Sequence, residues 1–177
     1  NFDLSVFING SYGNKVYNYL SMKLTHMNSP WTNQLNAVNG RAQLVPINPN
    51  KVYEDGTMWY NDVSNVMVAN PGASIPRATI NDPNDNDRIS DRYIEDGSYI
   101  RLKNISLGYT FPKKTIDKLG LSNLRIYANI QNLLTITGYD GYDPEIGAST
   151  SSVNVYGLDN GRYPSPTVYS FGLNVSF

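Results

Sequence analysis

The side chains in this sequence that could do chemistry are few. Two adjacent acidic pairs, Glu54-Asp55 and Glu95-Asp96, and the isolated Glu145 hold all three glutamates. Neighbours in an extended strand point to opposite faces, so neither pair supplies the two carboxylates, ~5 to 10 Å apart across one bond, that glycoside hydrolysis requires. His26 is the single histidine and lies among polar residues, which reads as a solvated side chain. With no cysteine there is no disulfide framework, thiolate metal site or cysteine nucleophile. The run Asp82-Pro83-Asn84-Asp85-Asn86-Asp87-Arg88 sets oxygen side chains at alternate positions, as calcium loops do. It lacks the glycine and the bidentate glutamate of that pattern, so an Asx-turn loop is expected and no metal or cofactor is assigned. No enzyme is expected. What remains is aromatic: Trp31, Trp59 and Tyr60 in one loop-like stretch, and Tyr139, Tyr142, Tyr156 and Tyr163 in another, could stack on sugar rings or pack on a partner. Trp31, Trp59, Tyr139 and Tyr142 are the substrate-binding candidates.

Hydrophobic periodicity identifies the elements that must hold these residues, and its period is two. From Tyr169 to Phe177 the odd positions are Tyr, Phe, Leu, Val and Phe, while Ser170, Gly172, Asn174 and Ser176 alternate with them. Phe2, Leu4, Val6, Ile8 and Tyr12 make a second apolar face, with Phe7 the one break on its polar side. Leu124, Ile126, Ala128, Ile130, Leu134 and Ile136 make a third, interrupted by Asn132. Ile100 and Leu102 start a fourth that changes phase to Ile105, Leu107, Tyr109 and Phe111, which predicts a bulge near Lys103 and Asn104. Arg101 and Lys103 flank that slip. Four strands follow, at about 1–13, 93–111, 123–138 and 166–177. The connections run long, short, long. The short one contains KKTIDKLG, a helical turn or two capped by Gly120, and a short helix is expected within Lys15 to Met27.

Composition limits the environment. There are 14 Lys+Arg against 15 Asp+Glu, a net charge of -1, which argues against a phosphate-neutralising nucleic-acid binder. Charged residues make up 16%, below the roughly 25% of ordinary soluble domains, whereas Asn occurs 23 times and Tyr 14 times. A soluble sandwich would bury the apolar faces and put Lys and Glu on the others. A membrane barrel turns the apolar faces to lipid and lines its interior with small polar residues. The polar faces of 93–111 and 123–138 carry mainly Asn, Gln, Ser, Thr and Gly, with Arg125 their clear charge, and fit the barrel better. About 12 residues at ~3.3 Å, tilted ~45°, span ~28 Å, close to the hydrocarbon thickness. Tyr109, Phe111 and Phe177 fall near strand ends, where aromatic girdles sit. Barrel loop lengths then make 14–92 and 139–165 extracellular and 112–122 a periplasmic turn. Four strands leave two open edges, which hydrocarbon does not tolerate, so further strands must complete the structure. The start at Asn1, with neither Met nor leader, is expected of a processed chain or an internal piece.

The stretches DRYIEDGSYIRLKNISLGYTFPKK (Asp91 to Lys114), LSNLRIYANIQNLLTITGYDGYDPEIG (Leu121 to Gly147) and GLDNGRYPSPTVYSFGLNVSF to the end, with the opening NFDLSVFINGSYGNKVYN, resemble the C-terminal part of SusC/RagA-type TonB-linked outer-membrane proteins. Residues 20 to 75 carry little of the likeness. The resemblance implies an all-β fold, the last four strands of a 22-stranded transmembrane antiparallel barrel with long extracellular loops. It implies an N-terminal plug outside this stretch, a SusD-like lipoprotein lid, the TonB complex as energy source, and import of oligosaccharides or peptides across the outer membrane of a Bacteroidota-like cell. It also implies that Phe177 is a barrel-assembly signal, besides being a lipid-facing residue. The alternatives from other classes are a soluble or surface-attached β-sheet carbohydrate-binding module and a structural barrel without transport.

Overall fold

Period-two patterning produces strands wherever it occurs. The computed structural model describes residues 1–146 and 156–177. Its elements in chain order are β1 (Phe2–Ser11), β2 (Lys15–Asn18), α1 (Tyr19–Thr25), β3 (Leu44–Pro46), β4 (Val66–Val68), β5 (Ile94–Asp96), β6 (Tyr99–Thr110), α2 (Lys113–Ile116), β7 (Asn123–Thr137), β8 (Leu158–Asp159) and β9 (Val168–Ser176), with short 3₁₀ turns between them. They group into two units, Asn1–Asn18 with Ile94–Phe177, and Tyr19–Tyr93.

In the first unit β1, β6, β7 and β9 form one antiparallel sheet in that spatial order. Across it Leu4 lies opposite Leu107, Leu107 opposite Ala128 and Ala128 opposite Phe171, so the apolar positions of all four strands share one face. That face is uncovered: Phe171 is 84% exposed and Leu173 61%, and Phe2, Leu4, Ile8, Ile126 and Ile136 are exposed too. The opposite face carries rows such as Ser5, Ser106, Asn129 and Ser170. At one end of the sheet the rings of Phe2 and Tyr109 lie 4.6 Å apart and those of Tyr109 and Phe111 4.9 Å, an aromatic cluster where an interfacial girdle is expected.

Two phase problems in the sequence have local causes. The β6 register skips from Leu102 to Asn104 against both neighbours, so Lys103 is the bulged residue that restores Ile100 and Leu102 to the apolar face. On β7 the break at Asn132 is a residue in left-handed backbone, φ +51°, whose amide donates to the Pro166 carbonyl at 3.1 Å. It is a bulge facing the Pro166-Thr167 segment rather than a polar residue exposed on the apolar face.

The stretch expected as a single strand over 93–111 is interrupted, because the Ser98 N–H turns back to Asp96 at 2.8 Å and the Gly97 N–H donates to the Asn14 carbonyl. Residues Ile94–Asp96 instead pair with β2, and β2 also runs parallel to β8, making a small separate sheet. The helix expected within Lys15 to Met27 is correspondingly shorter, since Lys15–Asn18 is a strand and only Tyr19–Thr25 is helical. Gly120 ends the α2 region at φ +68° as a left-handed cap.

The Tyr19–Tyr93 unit holds α1, the β3–β4 ribbon and a series of turns packed around Met22, Ile75 and Tyr93. No helix among the described residues is long and apolar enough to cross a membrane.

Candidate functional site

The polar face of the main sheet carries a cluster of charges beside the β6 bulge. Arg101, on β6 opposite Thr135, is 3% exposed and directs its guanidinium across the sheet. Its Nε donates to Thr135 Oγ1 at 2.8 Å, Nη1 to Glu145 Oε2 at 2.7 Å, and Nη2 to Asp143 Oδ1. The bulge turns Lys103 toward the same loop, where its Nζ reaches both Glu145 oxygens at 2.6 and 2.7 Å. Both cations that flank the phase slip therefore face the polar side. Burial raises the Asp143 carboxyl, but Arg101 and the N–H groups of Ser165 (3.0 Å) and Glu145 (2.9 Å) outweigh that and hold it below the ordinary carboxylate range. A hollow of about 330 Å³ opens next to the cluster, lined by Lys103, Glu145, Arg162 and Ser165 among others.

A second pair, Arg125 and Asp3, crosses the polar face near the other end, with Nη2–Oδ2 at 2.5 Å. A Cβ on Gly108 would meet the Arg125 guanidinium and one on Gly172 the Tyr127 ring, so a larger residue at either position displaces that side chain. Along the polar face, from Asn9 opposite Arg101 toward the second pair, the side-chain oxygens of Asn9, Asn104 and Asn129 are buried without a partner among the described residues. A row of amides left open in this way is suited to water or to protein filling the space in front of it.

The aromatic candidates part company. Trp31 is 93% exposed. Trp59 is half-buried and meets Tyr60 edge-to-face at 5.6 Å, beside a cleft in the Tyr19–Tyr93 unit. Tyr139 is buried and donates its hydroxyl to Asp159 at 2.6 Å; burial and that carboxylate push its phenol far above the ordinary range, so it stays a donor. Tyr142 is exposed, and Phe177 is 93% exposed, its carbonyl accepting from the Ser122 hydroxyl at 3.2 Å. Tyr156 and Tyr163 are exposed as well.

His26 is not the solvated side chain its neighbours suggested. Its Nε2 sits 2.8 Å from Asp82 Oδ2, and both groups are nearly buried. Residues 26 and 82 are 56 positions apart, so no local pattern announces the pair. With Asp87 they bring three possible ligand atoms within 4.8 Å of one another. Both Asp82 oxygens are already engaged, however, by His26 and by the Asn86 N–H and amide at 2.5 and 2.6 Å. Asp82–Arg88 is thus an Asx-type turn, held further by Arg88 donating to the Asn84 carbonyl at 3.1 Å. The Arg101 cluster was equally hidden, since Asp143 and Glu145 lie 42 and 44 residues from Arg101.

No protein-family model matches the chain. All of it aligns at 34% identity with TonB-dependent receptor P3 of Formosa agariphila. The chain belongs to the SusC/RagA family of TonB-dependent receptors. Over 51% of its length it is 36% identical to the TonB-dependent receptor SusC of Bacteroides thetaiotaomicron. A solved structure of the RagAB peptide importer in its closed-closed state matches 99% of the chain at a TM-score of 0.65 and 20% identity, a likeness of fold. The receptor chain spans 15% of the length of P3, 8% of SusC and 16% of the RagAB structure's chain.

Proposed function

We propose that the chain is part of an outer-membrane, TonB-dependent importer of oligosaccharides or peptides that works with a SusD-like lipoprotein lid. The observation that carries this reading is the sheet with its faces reversed from those of a soluble protein. A continuous apolar face is open, and the hydrogen-bonding groups and the ion pairs, with Arg101–Asp143 nearly buried, are on the other side. In water such a face would be an aggregation patch, whereas against acyl chains it is the stable arrangement. On this reading β1, β6, β7 and β9 span the bilayer, 14–92 and 139–165 are external, 112–122 faces the periplasm, and the Arg101 cluster stands on the lumenal wall near the external end. Further strands close the edges, the plug and TonB contacts lie in the rest of the protein, and Phe177 serves as the assembly signal. The same face counts against a soluble carbohydrate-binding module.

Deleting the complete gene and measuring growth on single oligosaccharides and on peptides tests the proposal. Loss of growth on at least one such nutrient, restored by the gene, is expected, together with recovery of the tagged receptor in the outer-membrane fraction bound to a lipoprotein. Recovery in the soluble fraction, or unchanged growth on every nutrient, overturns it.

A further inference from the structure

The cleft beside Trp59 in the Tyr19–Tyr93 unit has a volume of about 830 Å³, within the range of small-ligand sites. Arg41, Gln43, Trp59, Tyr60, Asn61 and Arg77 line it. Its two cations are not neutralised. Among the described residues no carboxylate lies within ion-pair distance of either arginine. Asp62 is instead engaged by Lys51 at 2.5 Å and Tyr53 at 2.9 Å, and Asp82 by His26 and Asn86. Among the described residues the Arg41 side chain makes one hydrogen bond, from Nη1 to the Val38 carbonyl at 3.3 Å, which leaves donors over.

The wall is also held in place. The Arg41 carbonyl accepts from the Asn70 amide at 2.9 Å, the Gln43 N–H donates to Asn70 Oδ1 at 2.8 Å, and the Ala42 N–H donates to the Ile75 carbonyl at 2.8 Å. Trp59 and Tyr60 stand at 80° to each other, so the cleft has an aromatic surface next to its charged one.

We propose that this cleft binds an anionic saccharide, a sugar carrying carboxylate or sulfate groups. Arg41 and Arg77 hold the anionic group, Trp59 and Tyr60 pack against a sugar ring, and Gln43 and Asn61 hydrogen-bond its hydroxyls. Guanidinium forks match planar carboxylates and sulfate oxygens in bidentate geometry. An aromatic face beside amides suits the mixed apolar and hydroxylated surface of a pyranose. The inference rests on the importer reading and names the class of cargo it takes.

The test uses the complete receptor purified in detergent. Tryptophan fluorescence or calorimetry measures binding of trigalacturonate, a sulfated disaccharide, neutral maltotriose and triglutamate. Binding of one or both anionic sugars is expected, weakened by salt and by at least about tenfold for each of Arg41→Gln and Arg77→Gln, as loss of a charge-assisted hydrogen bond implies. Trp59→Ala weakens it by a comparable factor, and all variants keep the parent's outer-membrane level. The two anionic arms tell carboxylate from sulfate. Binding of maltotriose as tight as that of both charged sugars, triglutamate binding that is indifferent to Trp59→Ala, or no binding by any probe overturns the proposal. Gene-dependent growth on some nutrient with no anionic sugar bound would remove the cleft's role and leave the importer reading standing, whereas growth that never depends on the gene removes the importer reading itself.

Discussion

Arg101 is the most committed side chain in the receptor chain: one guanidinium joins the sheet, through Thr135, to the Asp143-Glu145 loop. Arg101→Ala leaves the nearly buried Asp143 without its cation, and breaking a buried pair costs about 3–5 kcal/mol, toward the lower end here because Glu145 retains Lys103. The expected outcome is faster protease cleavage within residues 138–146 of the complete receptor, with the barrel intact, and partial protection in Arg101→Lys. The same contact depends on pH with a defined sign. Asp143 is depressed in the folded chain, so its contribution is present above the ordinary carboxylate value near 4 and is lost as pH falls through its lower folded value. Protection of the 138–146 backbone amides, taken relative to their intrinsic exchange rate at each pH, is therefore expected to fall below about pH 4 in the parent and to lose that acid dependence in Asp143→Asn. His26 and Asp82 present a parallel case in the other unit, where burial raises Asp82 but His26 and Asn86 together hold it down.

At the scale of the strands, the two faces of the sheet predict opposite tolerances. Leu173→Arg puts a cation on the apolar face, and a barrel residue near the bilayer midplane pays about 2–4 kcal/mol for that. A marked fall in heat-modifiable outer-membrane receptor is expected, while Ser170→Lys on the polar face leaves the level close to the parent's. Gly172→Ala drives a methyl into the Tyr127 ring and is expected to lower the unfolding midpoint, with recovery in the double variant Tyr127→Ala, Gly172→Ala. The strands were legible because alternation is local: each face reads off nine to fifteen consecutive residues. The slip at Lys103 was legible for the same reason, as a change of phase. The interruption at Gly97 and Ser98 was not, because it depends on Asn14 across the chain, and neither the Arg101 cluster nor His26–Asp82 shows any spacing a pattern could detect. Of the four aromatic candidates, a residue's type gave no means of separating Tyr139, spent on Asp159, from Trp59 beside an open cleft.

For the molecule as a whole the decisive quantity is what the sheet lacks. Among the described residues β1 and β9 each have a single partner, so two strand edges of ten and nine residues are left unpaired, next to an apolar face that none of those residues covers. Unpaired backbone groups cost several kcal/mol each in hydrocarbon and template aggregation in water, so neither solvent suits the four strands alone. Residues 1–177 expressed by themselves are accordingly expected to precipitate from detergent-free buffer. Light scattering in a mild detergent should then find micelle-bound oligomers that have paired their edges with one another. The complete receptor in the same detergent should be monodisperse. A sharp monomer peak for residues 1–177 in buffer without detergent would mean that the apolar face closes on itself in water, and acyl chains would no longer be needed to explain Phe171 and Leu173.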